Sequence, residues 1–545
     1  MSVQKRIAII ARVSMILFVV LVACAPAAVP TPAVPTPEKV TVKETVIVQQ
    51  PVPVTATPEP PKPKGTLTAA VTTDIAALEV PRAPERNAFL VAWTMYDSLV
   101  YHAPDGSIQP GLAEKWEVSS DGTTYTFYLR KGVTFHNSEP FNADSVVYTW
   151  QVYTQKDVKY ANYFTGAQSV EKVDDYTVKI TTKEPNAALL PFMALGWTML
   201  PPKYHAQVGV KEFAQHPVGT GPFVFKEWVK GDHVTVTANP NWWRKGYPLI
   251  QTIVFKTIPE ASTRVAALRR GEIDLATRLS AEDAQSMLGE QGIQVVRYLA
   301  DRVYYVAFNN VSTGKNTPIK DAKVRQAMNY AVDKEAIIKS IFGGYGTVAA
   351  GLVGPANLGY EGSQPFAYDV TKAKQLLADA GYANGFSMGM ACPSNAFLRI
   401  NDVCQAVAGY FDKVGIKVDL QFMEPNAFWD LQSKKQTPPL YIDSWSCAYG
   451  EAFNRFQGAL GKGATYAQWY DDKFVTLTDQ IVRTVDRDKR AALYQQMQQL
   501  TQTDPPFVYL YYPDSFEATR SRVVGYTPYA SEEYYLWGVS LSDAK

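Results

Sequence analysis

The feature that most constrains the fold of this sequence is a regular alternation of strand and helix patterns from about residue 304. Apolar runs of strand length recur there, and the segments between them place apolar residues at helical spacing. The runs are VYYVAFNN, FSMGMAC, IKVDLQFME and LYIDSWSC, and LRINDVCQAVAGYFDKVG is one of the intervening helices. Strands that alternate with helices form a parallel sheet with right-handed connections. This part of the chain is therefore predicted to be an α/β lobe.

The chain before residue 300 has a mixed pattern. At 545 residues the whole chain is too long for a single hydrophobic core. TTYTFYLRKGVTF alternates apolar and polar residues, VGTGPFVFKEWVKGDHVTVTANP has the glycine turns of a hairpin, and EASTRVAALRRGE is an amphipathic helix. These patterns predict a mixed α+β first lobe up to residue 300 and a second lobe at 301–505. The segment 506–545 is predicted to return to the first lobe, so that two strands form a hinge.

The N-terminal residues have the organisation of an export signal. Lys5, Arg6 and Arg12 precede an apolar run that is too short to span a bilayer. The run ends in Leu-Val-Ala-Cys24, which resembles the lipobox of bacterial lipoproteins. This resemblance implies a signal peptide at 1–23 and a lipid on Cys24 that holds the protein at the outer face of the cell membrane or in the periplasm. A signal cleaved elsewhere, with Cys24 incidental, is the alternative.

Residues 24–64 are predicted to be a tether. Proline recurs in this segment and glycine is absent from it, a composition that favours extended polyproline II and cannot build a core. At ~3.1 Å per residue the segment could hold a folded domain up to roughly 100 Å from the membrane.

The exported part retains Cys392, Cys404 and Cys447, and an exported compartment permits a disulfide. Cys404 lies in a helical pattern and is predicted to be a buried thiol. Cys392 and Cys447 each close an apolar strand, so they are the predicted pair.

Composition and motifs argue against nucleic-acid binding, catalysis and metal binding. The 53 basic and 52 acidic residues give a net charge of +1, which leaves no excess of positive charge to neutralise phosphates. GFSMG at 385–389 matches the serine-hydrolase pattern G-x-S-x-G, but that mechanism needs a later histidine and none follows. The histidines show no i, i+4 pair and are accompanied by no Cys-x-x-Cys motif: His102, His136, His205, His216 and His233. We therefore predict no catalytic residue, no metal and no cofactor.

Several stretches, in this order and spacing, resemble the family 5 solute-binding proteins of ABC importers, the peptide, opine and nickel type. They are MYDSLVYHAPDGSIQPGLAEKWEVSSDGTTYTFYLRKGVTFHNSEPFNADSVVYTW, GTGPFVFKEWVKGD, ALRRGEIDLA, YVAFNN with DAKVRQAMNYAVDKEAII, and VTKAKQLLADAGY. The resemblance extends over essentially all of residues 65–545. These stretches are scaffold segments, so they indicate the family without indicating the ligand.

The resemblance implies a two-lobed, periplasmic-binding-protein-like fold (class II, cluster C). Its lobes close like a Venus flytrap over a solute, and the closed form docks on the permease and ATPase subunits of an importer. It also implies a subdomain inserted at 99–217, which leaves 65–98, 218–300 and 506–545 for the first lobe. A monomer that binds its solute without enzymatic activity is expected.

The stretch YIDSWSCAYGEAFNRF, residues 441–456, is the predicted ligand-facing end of a strand. In peptide-binding relatives the equivalent strand end carries a Trp and, three positions on, an Asp that pairs with the peptide's α-amino group. Trp445 matches here and Glu451 follows at the expected interval, but Ala448 stands in the Asp position. Because a buried ammonium needs a carboxylate, a peptide would have to use Glu451, Asp443 or Glu79 instead.

A neutral oligosaccharide remains an alternative ligand, because sugars stack on aromatic rings near the carboxyl ends of parallel strands. Nickel is disfavoured, since the second lobe has no histidine. The predicted function is binding of an oligopeptide-type solute, and a lipoprotein enzyme or a ligand sensor is the alternative from another class. The predicted ligand-binding residues are Trp445, Tyr449, Cys447, Asp443, Glu451, Asn395, Phe397, Trp429 and Glu79.

Overall fold

The computed structural model describes residues 62–543 except 84–85, 159–160, 162–163, 165, 361–363, 448–449 and 531–534. The predicted signal peptide, Cys24, nearly all of the tether, Ala448 and Tyr449 lie outside the described residues. Within the described ranges, no helix has the length and apolar character needed to cross a membrane.

The first lobe is built on a mixed sheet of seven strands. The strand Lys64–Val71 lies at its centre and runs parallel to both of its neighbours, whereas the remaining pairs are antiparallel. Alternation of apolar residues in Lys64–Val71 buries Leu67, Ala69 and Val71 against the core. In spatial order the strands are Ile293–Leu299, Asp514–Arg520, Leu275–Leu279, Lys64–Val71, Ile250–Thr257, His233–Ala238 and Phe223–Val229.

A separate antiparallel sheet lies within residues 99–217. Its strand Thr124–Leu129 buries Tyr125, Phe127 and Leu129 on one face, as expected from the alternation in the sequence. The side chain of Asn142 caps the following helix by accepting a hydrogen bond from the Asp144 N–H at 3.0 Å. The strand order is Ala113–Val118, Thr124–Leu129, Thr177–Thr181 and Ser169–Asp174. The exact limits of an inserted subdomain remain a prediction.

The second lobe contains a six-stranded sheet that is only partly parallel. Phe386–Pro393 runs parallel to Ile416–Met423 and to Leu440–Ser446. Arg302–Phe308, predicted as part of a parallel sheet, is instead antiparallel to both of its neighbours. The reason is that Arg302–Phe308 begins at the edge of the sheet where Leu440–Ser446 ends. Arg302 therefore lies opposite Ser446, and the two strands run in opposite directions. The spatial order is Thr347–Val348, Phe507–Tyr512, Arg302–Phe308, Leu440–Ser446, Phe386–Pro393 and Ile416–Met423.

Two crossings connect the sheets of the two lobes. The first lies at Ala300 and Asp301, between a strand of the seven-stranded sheet and a strand of the six-stranded sheet. The second lies at Pro513, because Phe507–Tyr512 still belongs to the six-stranded sheet. The return therefore falls at Pro513 rather than at residue 506. The Ala300 N–H donates to the Pro513 carbonyl at 3.2 Å, so the crossings lie side by side. We call these three residues the hinge.

Helices cover both sheets, and many begin at an acidic residue. In the second lobe, helices start after Asp321, Asp333, Asp369, Asp471 and Asp486, each of which accepts a hydrogen bond from a first-turn N–H. The described α-helices are Arg86–Trp93, Ala143–Tyr153, Leu189–Gly196, Pro202–Phe213, Ala261–Arg270, Ala281–Ser286, Ala322–Ala331, Lys334–Phe342, Val370–Asp379, Ile400–Asp412, Pro425–Ser433, Phe453–Leu460, Asp472–Arg483 and Arg487–Thr503. Short strands pair Val100–His102 with Ile108–Pro110 and Val523–Val524 with Ser540–Leu541.

The disulfide differs from the predicted one. Cys392 is bonded to Cys404, with Cα atoms 6.3 Å apart, so the predicted Cys392–Cys447 pair is wrong. The helix Ile400–Asp412 packs back on the strand that contains Cys392 and brings Cys404, which was expected to be a thiol, against it. Cys447 turns away towards the hinge, where its N–H donates to the Asp301 carbonyl at 2.8 Å. It is a buried thiol whose Sγ donates to the Glu451 carbonyl.

Candidate functional site

The edge of the six-stranded sheet at which Leu440–Ser446 ends faces the first lobe. Beyond this strand end, Gly450 packs directly against Gly106 in a turn of residues 99–217. A Cβ on Gly106 would lie 3.0 Å from the Gly450 Cα, and a Cβ on Gly450 would lie 2.8 Å from the Gly106 carbonyl oxygen. Both residues also have positive φ, 75° and 66°. Only glycine permits this approach of two backbones.

A second contact joins residues 184–192 to two helices of the second lobe. Glu184 forms an ion pair with Arg483 at 2.6 Å, and the Ala187 N–H donates to the Val482 carbonyl at 2.7 Å. The ring of Phe192 meets the ring of Phe453 edge-on at 5.4 Å. A cavity of about 540 Å³ lies beside these contacts, between the two lobes. Its lining includes Lys183, Asn186, Gln457 and Asp479. The contact between residues 184–192 and the second lobe therefore leaves a cavity that residues from both sides line.

Trp445 lies half-buried near the carboxyl end of strand Leu440–Ser446, and a helix packs against its ring. Its indole packs on Gly458 of helix Phe453–Leu460, where a Cβ would lie 2.1 Å from Cζ2 of the ring. The ring of Tyr466 approaches edge-on at 6.5 Å. Gly458 thus provides the space for the indole, and the rest of the ring stays partly accessible at the edge that faces the first lobe.

The carboxylate of Asp443 is bound inside the second lobe. Its Oδ2 accepts a hydrogen bond from Gln432 Nε2 at 2.8 Å, and its Oδ1 accepts one from the Ser444 N–H at 2.7 Å. Burial raises the pKa of Asp443 to about 6. Because its oxygens already have partners in the core, this carboxylate is not positioned to receive a solute's ammonium group.

Glu451 and Glu79 are likewise engaged by protein groups. Glu451 is 7% exposed and accepts two hydrogen bonds from Arg490, at 2.6 and 2.7 Å. Glu79 is fully buried. Its Oε1 lies 2.6 Å from Arg82 Nη1 and 3.5 Å from His205 Nε2. The structure therefore gives all three candidate carboxylates a structural partner.

The remaining predicted residues divide between the strand edge and the core. Asn395 is exposed, and its side-chain oxygen accepts a hydrogen bond from Asn401 at 3.1 Å. Phe397 is half-buried and meets Tyr304 edge-on at 5.4 Å. Trp429 is half-buried against the hydrophobic core on helix Pro425–Ser433. Cys447 is buried, as described above, and Tyr449 lies outside the described residues. Asn395, Phe397 and Trp445 thus gather at the carboxyl edge.

Sequence reasoning missed Arg302 at this edge. Arg302 opens a strand opposite Ser446, and its Nη1 donates to the Ser444 Oγ at 2.6 Å. Its guanidinium lies 5.7 Å from the centre of the Phe397 ring. The only signal in the sequence is a single basic residue before the apolar run VYYVAFNN, and strand register is needed to place it beside residues 444–446.

A buried ion pair beside the site was also missed. Arg455 is fully buried, and its Nη2 donates to the hinge residue Asp301. Its Nη1 donates to Asn357 Oδ1 at 2.7 Å and to the Leu352 carbonyl at 2.8 Å. Asn357 Nδ2 in turn donates to the second carboxylate oxygen of Asp301 at 2.9 Å. This network connects the hinge to the helix that supports Trp445.

The described residues contain no group of three or more His, Cys, Asp or Glu side chains arranged to hold a metal ion. The arrangement at the carboxyl edge is one of rings, a guanidinium and neutral polar groups. It is suited to reversible binding of an organic solute.

Comparisons with known proteins point to one family. The family described as "Bacterial extracellular solute-binding proteins, family 5 Middle" matches residues 107–467. Heme-binding protein A of Haemophilus influenzae is 31% identical over 484 residues, covering 82% of this chain and 87% of that protein. The dipeptide-binding protein of Escherichia coli K12 is 30% identical over 481 residues, covering 82% of this chain and 89% of that protein.

A solved structure agrees with these matches. HbpA2 from Haemophilus parasuis has a TM-score of 0.80 and 29% identity, covering 88% of this chain and 100% of that chain. Proteins of this family are extracytoplasmic, two-lobed solute-binding proteins rather than enzymes. Because the family match spans more than half of the chain and two relatives are similar over most of it, the chain belongs to the family 5 solute-binding proteins of ABC importers.

Proposed function

We propose that this protein captures an oligopeptide-type solute between its two lobes and delivers it to the permease and ATPase subunits of an ABC importer. The dipeptide-binding relative from Escherichia coli supports the peptide class. The similarity to heme-binding protein A makes haem a compound that any ligand test must include.

The observation that carries this proposal is the half-buried Trp445 at the carboxyl edge of the second-lobe sheet. Ligands of open α/β sheets bind at this edge. A solute lying there would touch the Trp445 ring on one side and the first lobe on the other. Such a solute would stabilise the closed arrangement of the lobes, since a ligand shifts a conformational equilibrium by its differential affinity for the two states.

The ligand class is tested by a thermal-shift screen of the purified full-length protein with short peptides, oligosaccharides and haem. A compound that binds only the native state stabilises it by about 2.7 kcal/mol at a hundredfold excess over Kd, so Tm rises. We expect a rise with peptides. A rise with oligosaccharides alone would overturn the peptide assignment in favour of a neutral ligand, and a rise with haem alone would overturn it in favour of haem.

Replacement of Trp445 by Ala is expected to weaken peptide binding by about 1–3 kcal/mol, because a stacking contact is lost while the fold is retained. Isothermal titration calorimetry measures the affinity, and circular dichroism checks the fold. Phe422→Ala is the matched control, since Phe422 is an aromatic residue of the same lobe that is 44% exposed on the edge strand Ile416–Met423. Equal affinities for the Trp445 variant and the wild type would contradict the role of Trp445.

The proposal includes a lipid anchor on Cys24, supported by the lipobox resemblance and the proline-rich segment that follows it. Replacement of Cys24 by Ser is expected to move the protein from the membrane fraction to the soluble exported fraction, because the acyl chains that hold it would be missing. Immunoblots of the two fractions measure this change. A Cys24→Ser protein that stays in the membrane fraction would exclude lipidation at this residue as the anchor.

A further inference from the structure

We infer that the Cys392–Cys404 disulfide positions residues 394–399, which we call the edge loop, for solute binding. The edge loop joins strand Phe386–Pro393 to helix Ile400–Asp412. The inference rests on the proposed function, which places the solute at the carboxyl edge where this loop begins. It gives the two cysteines a role in affinity that is separate from the stability of the second lobe.

The two elements that the disulfide joins are each anchored without it. Cys392 lies in strand Phe386–Pro393, which pairs in parallel with a strand on either side. Cys404 lies in helix Ile400–Asp412, which packs on the same sheet and buries Ile400, Val403, Val407 and Phe411. The cysteines are 12 positions apart, and a disulfide that closes a short loop adds less stability than one that joins distant segments. The bond therefore acts mainly on the edge loop between these elements.

The edge loop has a backbone conformation that most side chains disfavour. Asn395 and Arg399 have φ angles of 57° and 53°, in the left-handed region. Arg399 stands where helix Ile400–Asp412 begins, so this conformation turns the chain into the helix. Non-glycine residues stay in this region only where the surrounding structure holds them there. The edge loop therefore depends on restraints at both of its ends.

Hydrogen bonds from the start of the helix supply one restraint. The side chain of Asn401 accepts a hydrogen bond from the Asn395 N–H at 3.1 Å and donates one to Ser394 Oγ at 3.2 Å. The Ser394 N–H donates to the Met423 carbonyl at 2.7 Å. These bonds require a fixed separation between the strand end and the first turns of the helix. The disulfide fixes that separation covalently, with its two Cα atoms 6.3 Å apart.

The edge loop carries apolar side chains from the second lobe towards the first. Phe397 meets Tyr304 edge-on at 5.4 Å, and Leu398 is 57% exposed. The Nη1 of Arg399 lies 3.5 Å from Oε1 of Glu282 in the first lobe. A solute at the carboxyl edge can therefore contact Phe397 and Leu398. A loop that is already held in its bound conformation loses less entropy on binding, so the disulfide raises the affinity.

The first test compares amide hydrogen exchange in the oxidised wild type and in Cys392→Ala/Cys404→Ala, both as purified full-length proteins without a solute. We expect faster exchange confined to residues 394–399, because strand Phe386–Pro393 and helix Ile400–Asp412 are held by the sheet and the core. Faster exchange throughout the strand and the helix would show that the bond holds the lobe together and would overturn the inference. Failure of the double variant to fold would overturn it for the same reason.

The second test measures affinity by calorimetry. The probe is the peptide of alanine and phenylalanine, two to five residues long, that the wild type binds most tightly. We expect Cys392→Ala/Cys404→Ala to bind it about tenfold more weakly, the equivalent of ordering one or two further side chains on binding. Asn401→Ala keeps the disulfide but removes the side-chain bonds to the edge loop, so it should also weaken binding.

Val407→Ala is the matched control, because Val407 is fully buried on the same helix and its loss lowers stability without releasing the edge loop. Its affinity should equal that of the wild type. A loss as large as that of the double cysteine variant would mean that destabilisation alone weakens binding, and equal affinities for the wild type and the double variant would likewise overturn the inference. Absence of peptide binding by the wild type would instead contradict the proposed function, and hydrogen exchange, which needs no solute, would still decide whether the disulfide holds the edge loop.

Discussion

Replacement of Arg455 by Met is expected to lower the free energy of unfolding by about 3–5 kcal/mol, the usual cost of removing one partner of a buried ion pair. Arg455 is fully buried, and Asp301 is 7% exposed. Met fills much of the volume of the arginine stem, so the main loss is electrostatic. Without the guanidinium, the carboxylate of Asp301 would remain in the core with a hydrogen bond from Asn357 but without its directly paired cation.

The loss is expected to depend on pH. Burial already raises the pKa of Asp301 above its ordinary value, while Arg455 lowers it. Removing Arg455 leaves burial unopposed, so the pKa of Asp301 rises further. A carboxyl group whose pKa is raised on folding destabilises the native state when ionised, and this penalty disappears as the pH falls and the group binds a proton. Arg455→Met should therefore be less destabilised at pH 4–5 than at pH 8, relative to the wild type at the same pH.

Urea unfolding followed by circular dichroism at both pH values measures these changes. The double variant Arg455→Met/Asp301→Asn should regain much of the lost stability, because no buried charge remains. Arg270→Met is the control, since Arg270 pairs with Glu272 on the surface, where ion pairs contribute about 0–1 kcal/mol. A loss below 1 kcal/mol for Arg455→Met would mean that Asp301 finds solvent or another partner, and the pair would not fix the hinge as the structure indicates.

The fold was predictable from the sequence where the signal is local. The alternation in TTYTFYLRKGVTF and the helical spacing around Cys404 both correspond to elements of the expected type. The direction of Arg302–Phe308 relative to its neighbours was not predictable from its own residues, because the sequence of one strand does not show whether the adjacent strands are parallel or antiparallel. The disulfide was missed for a similar reason, since it depends on how the helix that contains Cys404 packs on the sheet.

The candidate site was harder to predict than the fold, because its residues act through distant partners. Glu451 is close to Trp445 in sequence, but its carboxylate is held by Arg490, which lies 39 positions away. Asp443 lies two positions before Trp445 on the same strand, yet Gln432 covers it from a helix. Arg302 is 142 positions from Ser444 and reaches the edge through strand pairing alone. The scaffold segments therefore identify the family, whereas burial and pairing decide which charges remain available to a solute.

Replacement of Gly458 by Ala is expected to weaken peptide binding by roughly 10- to 100-fold, the range expected for loss of a stacking aromatic residue. In a helix this change ordinarily stabilises a protein by about 1 kcal/mol. Here the new Cβ would lie 2.1 Å from Cζ2 and 2.2 Å from Cη2 of Trp445, distances that no real contact has. The ring must therefore leave its place on helix Phe453–Leu460. Peptide binding is therefore expected to weaken although Trp445 is still present.

A double-variant cycle separates this steric effect from a general effect on the helix. In the Trp445→Ala background the clash is absent, so Gly458→Ala should stabilise the protein by about 0.5–1 kcal/mol and leave the already weakened binding unchanged. Gly409→Ala is the matched control, because Gly409 lies within helix Ile400–Asp412 and a Cβ there meets nothing within 4 Å. It should increase stability by a similar amount without affecting affinity. If Gly458→Ala in the wild-type background behaved like Gly409→Ala, Trp445 would not be held against this helix, and its assignment to the wall of the binding site would lose its structural basis.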